Sequence, residues 1–220
     1  LTFTAIVLAA GEGKRWGNYT GVPKHLLEIE GESLIQRTTR QISAYADRTF
    51  VVGADSSYKT DFSELFVPEQ KQPALEMHKF SSSQSLWSER TVLLFGDTYY
   101  TDEAISTIVQ DTEDFTFFLR SGPSSFTQKP HGEIYAFSFW DSIHERLQQS
   151  IDNLLRQHDI YSAGGWALMR HLLGISHRSR TKTHLSKGHY IEIDDWTEDF
   201  DFPVDLDRWL EARTGWQPSL

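Results

Sequence analysis

The stretch Phe3-Thr4-Ala5-Ile6-Val7-Leu8-Ala9-Ala10-Gly11-Glu12-Gly13-Lys14-Arg15-Trp16-Gly17 decides the fold. Its first part, residues 3–9, is apolar almost throughout, as a strand buried on both faces of a parallel sheet must be. The run has no basic flank and passes straight into a glycine-rich turn, so it reads as an interior strand rather than a secretion leader. Closely spaced glycines and the basic pair Lys14 and Arg15 follow at once, at the kind of strand end where α/β sheets bind ligands. Glycines permit sharp turns and close backbone approach, so consecutive N–H groups can face phosphate oxygens while Arg15 grips them bidentately. A tight strand-to-helix turn with solvated Lys14 and Arg15 satisfies the same spacing, so the loop alone leaves both readings open.

Outward from the loop the chain alternates. Strand-like runs stand at residues 49–52, 91–95, 115–119 and 134–139, with helical patterns at 34–45 and 102–109 between them. Residues 141–157 carry Ile143, Leu147, Ile151, Leu154 and Leu155 on one helical face and polar residues on the other. A further helix fits 165–173, followed by a polar stretch at 176–188, a short strand at 190–193 and an acidic run at 194–201. This alternation, without internal repeat, low-complexity linker or proline-rich boundary, predicts one α/β domain over residues 1–220.

Composition narrows the function. A chain of 220 residues can bury a full core. With 39% hydrophobic and 24% charged residues it is ordinary globular, and no apolar run reaches the roughly 18 residues of a spanning helix, so membrane insertion is not expected. The absence of cysteine removes disulfides and thiolate chemistry, leaves oxygen or imidazole for any metal, and suits a reducing, cytoplasmic setting. A net charge of -10 argues against a nucleic-acid partner, which needs a basic stripe. Oligomeric state is left open, a homo-oligomer being compatible with the sequence.

The loop is not a P-loop, lacking Gly-Lys-Ser/Thr at the required spacing. Nor is it a full Gly-x-Gly-x-x-Gly fingerprint, because Trp16 occupies the last glycine's place. Two segments follow it: Pro23-Lys24-His25-Leu26-Leu27-Glu28-Ile29 and Gly31-Glu32-Ser33-Leu34-Ile35. With Leu8-Ala9-Ala10-Gly11-x-Gly13-x-Arg15, this order resembles the N-terminal signature of the nucleotidyltransferases that make NDP-sugars, CDP-choline and related compounds, including the MobA-like NTP transferases. The resemblance implies a Rossmann-like, GT-A-type three-layer sandwich with a mostly parallel mixed sheet. It also implies an enzyme that binds an NTP, uses Mg2+ between protein carboxylates and the α-phosphate, and transfers NMP to a small phosphorylated acceptor with release of pyrophosphate. The acceptor would be a sugar-1-phosphate, a phosphocholine-like alcohol phosphate or a phosphonate, and the compact length favours CTP as donor.

Carried over residue by residue, the resemblance assigns nucleotide binding to Leu8, Ala9, Ala10, Gly11, Glu12, Gly13, Lys14 and Arg15. Lys24 would neutralise charge on the transferring phosphoryl group, with Arg15 and Asp97 as its catalytic partners. Such transfers ask the protein mainly for alignment and charge neutralisation. Asp97 follows Gly96 where the strand at 91–95 ends, and a carboxylate there suits magnesium, which takes oxygen ligands and keeps waters. The second carboxylate is sought in Tyr190-Ile191-Glu192-Ile193-Asp194-Asp195 and Glu198-Asp199-Phe200, which resemble the family's Glu-Ile-Asp and Glu-Asp-Leu pattern. One count selects Asp194 and the other Asp195, whereas such acidic runs are commonly solvated faces.

Ser82-Ser83-Gln84-Ser85-Leu86 resembles a segment near the base, so Gln84, Ser85 and Gly96 join the nucleotide-binding candidates, although serine-rich stretches often serve as caps and loops. Glu133 would contact an acceptor hydroxyl or ammonium. Gly165 and Trp166 would approach the acceptor, the indole through cation-π attraction, against the alternative of a packed core tryptophan. Two other functions compete: a GT-A glycosyltransferase using a nucleotide-sugar, disfavoured because Asp97 lies in no Asp-x-Asp, and a non-catalytic nucleotide-binding domain, disfavoured because Lys24 and Asp97 are both present.

Overall fold

The computed structural model describes residues 1–11, 13–17, 19–68, 76–156, 164–176 and 188–215. β1 (Phe3–Leu8) sends Ala5 and Val7 to one face of the sheet and Ile6 and Leu8 to the other, all almost wholly buried. It pairs in parallel with β4 (Arg48–Val52) on one side and β6 (Arg90–Phe95) on the other. β5 (Glu64–Phe66) continues beyond β4. β9 (Glu133–Trp140), β8 (Phe115–Arg120) and β10 (Tyr190–Glu192) continue beyond β6. The seven-stranded order is β10-β8-β9-β6-β1-β4-β5, with β9 alone antiparallel to its neighbours.

Helices cover both faces, which is why the strands carry apolar residues on both sides. α1 (Leu34–Ser43) and α3 (Asp102–Gln110) lay Ile35, Ile42, Ile105 and Ile108 on the Ala5, Val7, Val51 and Leu94 face. Their starts are written in the sequence: the Ser33 hydroxyl accepts from the Gln36 N–H at 3.3 Å and Thr101 from Ala104 at 3.0 Å. On the opposite face, α2 (Glu76–Ser82), α4 (His144–Arg156) and α5 (Gly165–Leu172) bury Phe80, Leu147, Ile151 and Leu168 against Ile6, Leu8, Phe117 and Phe137. The α/β, three-layer, mostly parallel architecture expected from the sequence is the one observed. None of the helices, among the described residues, is long and apolar enough to cross a membrane.

Two small ribbons shape the upper edge. β2 (Glu28–Ile29) and β3 (Glu32–Ser33) form a hairpin whose two-residue turn puts Glu30 at φ 56° and Gly31 at φ 83°, the left-handed pair that matches strand twist. β7 (Thr98–Tyr99) pairs antiparallel with β11 (Glu198–Asp199), setting Thr98 opposite Asp199. α6 (Pro203–Gly215) follows, starting on a proline as helices favour. Its Leu206 and Trp209 pack with Trp16, Leu27, Leu34, Tyr99 and Phe200 in a third cluster. Trp16, in the place of a fingerprint glycine, thus anchors the glycine loop to the C-terminal helix, and its indole N–H donates to the Val22 carbonyl at 3.2 Å.

Candidate active site

The site begins where β1 ends between β4 and β6. The Ala9 N–H donates to the Val52 carbonyl at 2.8 Å and the Gly96 N–H to the Leu8 carbonyl at 3.0 Å, so three strand ends converge on the loop. A Cβ on Gly96 would stand 3.0 Å from both the Ala9 Cβ and the Leu8 oxygen, so glycine there brings the following Asp97 beside the loop. Within the loop, Gly13 lies at φ 57° and Gly17 at φ 60°, and the Gly13 carbonyl accepts from the Trp16 and Gly17 N–H groups at 2.9 and 3.2 Å. Gly11, Gly13, Lys14, Arg15, Lys24, Lys79 and Asp201 line a cleft of about 320 Å³. A contiguous lobe of about 160 Å³ shares Arg15, Lys24, Lys79 and Asp201 and adds Asp97, Glu133 and Asp199.

Lys24 is the link between the halves. Pro23 (φ -55°, ψ 145°) turns the chain into the short 3-10 helix Lys24–Leu26, which buries the Lys24 side chain. Its ammonium pairs with Asp97 and donates to Asp201 Oδ1 at 3.1 Å. Burial works against the charge on Lys24, but the two carboxylates outweigh it and hold the ammonium's pKa above the ordinary lysine value. Burial likewise works against ionised Asp97, and Lys24 foremost pulls its pKa below the usual carboxylate range. Arg15, with its side chain 62% exposed, reaches Asp201 Oδ2 at 2.9 Å.

The acidic lobe is assembled from three separate segments. β7–β11 pairing carries Asp199 beside Asp97, and the Phe200 N–H donates to the Asp97 carbonyl at 3.1 Å. Asp201 comes next, on the turn that Asp205 fixes by accepting from the Asp201 and Phe202 N–H groups at 3.2 and 2.9 Å. Glu133 enters from the start of β9. One carboxylate oxygen from each of Glu133, Asp199 and Asp201 lies within 4.8 Å of the others. Lys129 answers part of this charge, its Nζ 2.8 Å from Asp199 Oδ1 and 4.0 Å from Glu133. Burial first, then the neighbouring Asp201 and Asp97, still push Asp199 up to about 7, and burial with Asp199 raises Glu133 well above the usual range.

Several expected residues stand elsewhere. Asp194 is exposed, and Asp195 is engaged as an anchor, accepting from the Thr101 hydroxyl at 2.5 Å and the Thr197 N–H at 2.7 Å. Neither lines the cleft; Asp199 and Asp201 do. The acid-apolar-acid pattern in the cleft is Asp199-Phe200-Asp201, with Asp205-Leu206 after it; it overlaps the Glu198-Asp199-Phe200 motif but lies beyond Asp194 and Asp195, the two residues that the motif counts select. Gln84 and Ser85, on the 3-10 helix Gln84–Leu86, are exposed and do not line the cleft. Gly165 and Trp166 open α5, where Trp166 packs on the core instead of lining the cleft. Leu8 and Ala9 are buried, and Ala10 packs on the core beneath the loop. Glu12 and the polar residues 177–187 lie outside the described residues. Lys79, Lys129, Asp199 and Asp201 are the additions the structure makes.

A glycine loop with convergent cations, facing a carboxylate lobe at the switch point of an α/β sheet, defines a nucleotide-binding enzyme cleft. Residues 5–171 match the model of the MobA-like NTP transferase domain, and the chain belongs to that family. It is accordingly a nucleotidyltransferase, transferring NMP to a phosphorylated acceptor. Among solved structures of the same fold, the CTP:phosphocholine cytidylyltransferase from Streptococcus pneumoniae is 13% identical with a TM-score of 0.62, the match covering 97% of this chain and 100% of that one. The inositol-1-phosphate CTP transferase from T. maritima is 14% identical with a TM-score of 0.56, covering 99% and 98% respectively. A nucleotidyl transferase from Methanothermobacter is 15% identical with a TM-score of 0.60, covering 96% and 99%. No curated protein matches the chain by sequence.

Proposed function

We propose that this chain transfers CMP from CTP, with Mg2+, to a small sugar-1-phosphate, alcohol phosphate or phosphonate and releases pyrophosphate. The observation that carries this reading is the Lys24 ammonium held between Asp97 and Asp201 at the mouth of the glycine loop. The preference for CTP draws support from the compact length and from two proteins of the same fold whose names specify CTP.

The chemistry needs no covalent nucleophile. An acceptor oxygen attacks the α-phosphorus, the bond to the bridging oxygen of the β-phosphate breaks, and pyrophosphate leaves with the electron pair. The glycine loop and Arg15 would align the triphosphate for this displacement, and Lys24 would neutralise charge on the transferring phosphoryl group. The oxygen-rich lobe fits magnesium, since Asp97, Asp199, Asp201 and Glu133 supply hard ligands at one end of the cleft. Asp97 and Asp201 would hold it, and when bound it would supply further positive charge to the α-phosphate oxygens.

Incubating the protein with each common NTP, Mg2+ and a panel of sugar-1-phosphates, alcohol phosphates and phosphonates tests the assignment. CTP with one acceptor is expected to yield pyrophosphate. Pyrophosphate only with another NTP would overturn the base preference. Release of NDP from a nucleotide-sugar would make the chain a glycosyltransferase, and NTP binding without turnover across the panel would leave a binding domain.

A further inference from the structure

Arg15, Lys24 and Lys129 each already hold a carboxylate: Asp201, Asp97 with Asp201, and Asp199. Lys79 differs. It lines both the loop half and the acidic half of the cleft, yet its ammonium makes no hydrogen bond or ion pair with any described residue. Its stem is fixed from behind, because Met77 and Phe80 on the same short helix α2 are buried in the core. Its tip lies on the bare face of the glycine loop, Nζ 2.9 Å and Cε 3.3 Å from where a Cβ on Gly11 would stand. Any side chain at position 11 would displace it. Glycine at that position thus serves more than the turn: it clears room for an ammonium against the loop backbone.

Asp97 attracts this ammonium across the cleft without pairing with it, and an amine in a half-enclosed cleft that no described carboxylate holds directly is suited to an anion brought by a ligand. We propose that Lys79 is a further phosphate-binding residue of this transferase, its ammonium donating to a non-bridging oxygen of the NTP polyphosphate where the two halves of the cleft meet. This rests on the nucleotidyltransferase reading of the cleft. Lys79 then complements the loop N–H groups from the opposite wall, and it is available when the nucleotide arrives because no carboxylate must release it first.

The test compares wild type, Lys79→Met and Lys79→Arg by calorimetric titration with the NTP that wild type binds most tightly and with the nucleoside of the same base. Melting temperatures serve as the check on folding. Lys79→Met is expected to weaken NTP binding about tenfold or more and leave nucleoside binding unchanged, with Lys79→Arg recovering most of the loss. NTP binding by Lys79→Met within about twofold of wild type would overturn the inference while leaving the nucleotidyltransferase reading intact. Equal loss for NTP and nucleoside would put Lys79 on the base and overturn the phosphate assignment. A wild type that binds no NTP would remove the underlying reading, and the inference with it.

Discussion

The two halves of the cleft are built on opposite plans. The loop half is local and open: residues 11–15 follow one strand, Arg15 is 62% exposed, and its charge reaches the ligand space through solvent. The acidic half is long-range and enclosed: Asp97, Glu133 and the Asp199–Asp201 pair arrive on three separate segments, with Lys24 buried and Lys129 largely enclosed among them. Charges in the open half are screened and individually weak, whereas those in the enclosed half act in a lower dielectric and depend on one another. On the proposed reading, binding strength is tuned on the loop side and the chemistry depends on the acidic side.

That contrast sets an order of mutational effects. The largest is expected for Asp97→Asn, which removes a partner of the buried Lys24 and one proposed metal ligand. Turnover should fall by about a thousandfold, with the melting transition retained, in a pyrophosphate-release assay. A loss below tenfold would remove Asp97 from the chemistry. Arg15→Ala, on the exposed side, should raise KM for the NTP by about tenfold and change kcat little, since its pairing with Asp201 is worth under about 1 kcal/mol in water. A collapse of kcat in that variant would mean that the open half shares the chemistry.

The third effect is on stability, not turnover, and belongs to the floor between the halves. His25 is wholly buried, neither ring nitrogen has a hydrogen-bond partner in the protein, and burial lowers its pKa to about 3. Between the unfolded value near 6.5 and about 3, the unfolded chain takes up a proton that the folded chain refuses, so this group costs stability as pH falls through that window. The slope is about 1.4 kcal/mol per pH unit, so His25→Leu should gain about 2 kcal/mol relative to wild type between pH 7 and pH 5, measured by urea denaturation. Parallel pH curves for the two proteins would show that His25 gains a partner or a proton in the folded state.

The same contrast explains what could be read from the chain. The loop half and the segment that follows it are close in sequence, so Gly11, Gly13, Arg15 and the linking Lys24 were legible as a group, as were β1, β4, β6, β8, β9 and the amphipathic α4. Asp97 was legible because a strand ends on it. Asp199 and Asp201 were hidden because their placement follows from β11 pairing with β7, a two-residue ribbon with no periodicity to read. The usable signal was Pro203-Val204-Asp205, a helix start with its cap, which marks Asp201 as the last acid before a helix. α6 itself escaped notice because only Asp205, Leu206 and Trp209 of its residues are buried, too sparse a stripe to stand out. Lys79 carries no motif at all; only the fold brings it over Gly11.

The most direct measurement is pyrophosphate release by Asp201→Asn and Asp194→Asn beside wild type, with Mg2+ and an accepted NTP and acceptor. If the enclosed half is built around Asp97 and Asp201, Asp201→Asn should lose about a hundredfold or more while Asp194→Asn stays within about twofold. An inactive Asp194→Asn beside a fully active Asp201→Asn would contradict the carboxylate lobe described above and return the second ligand to Asp194.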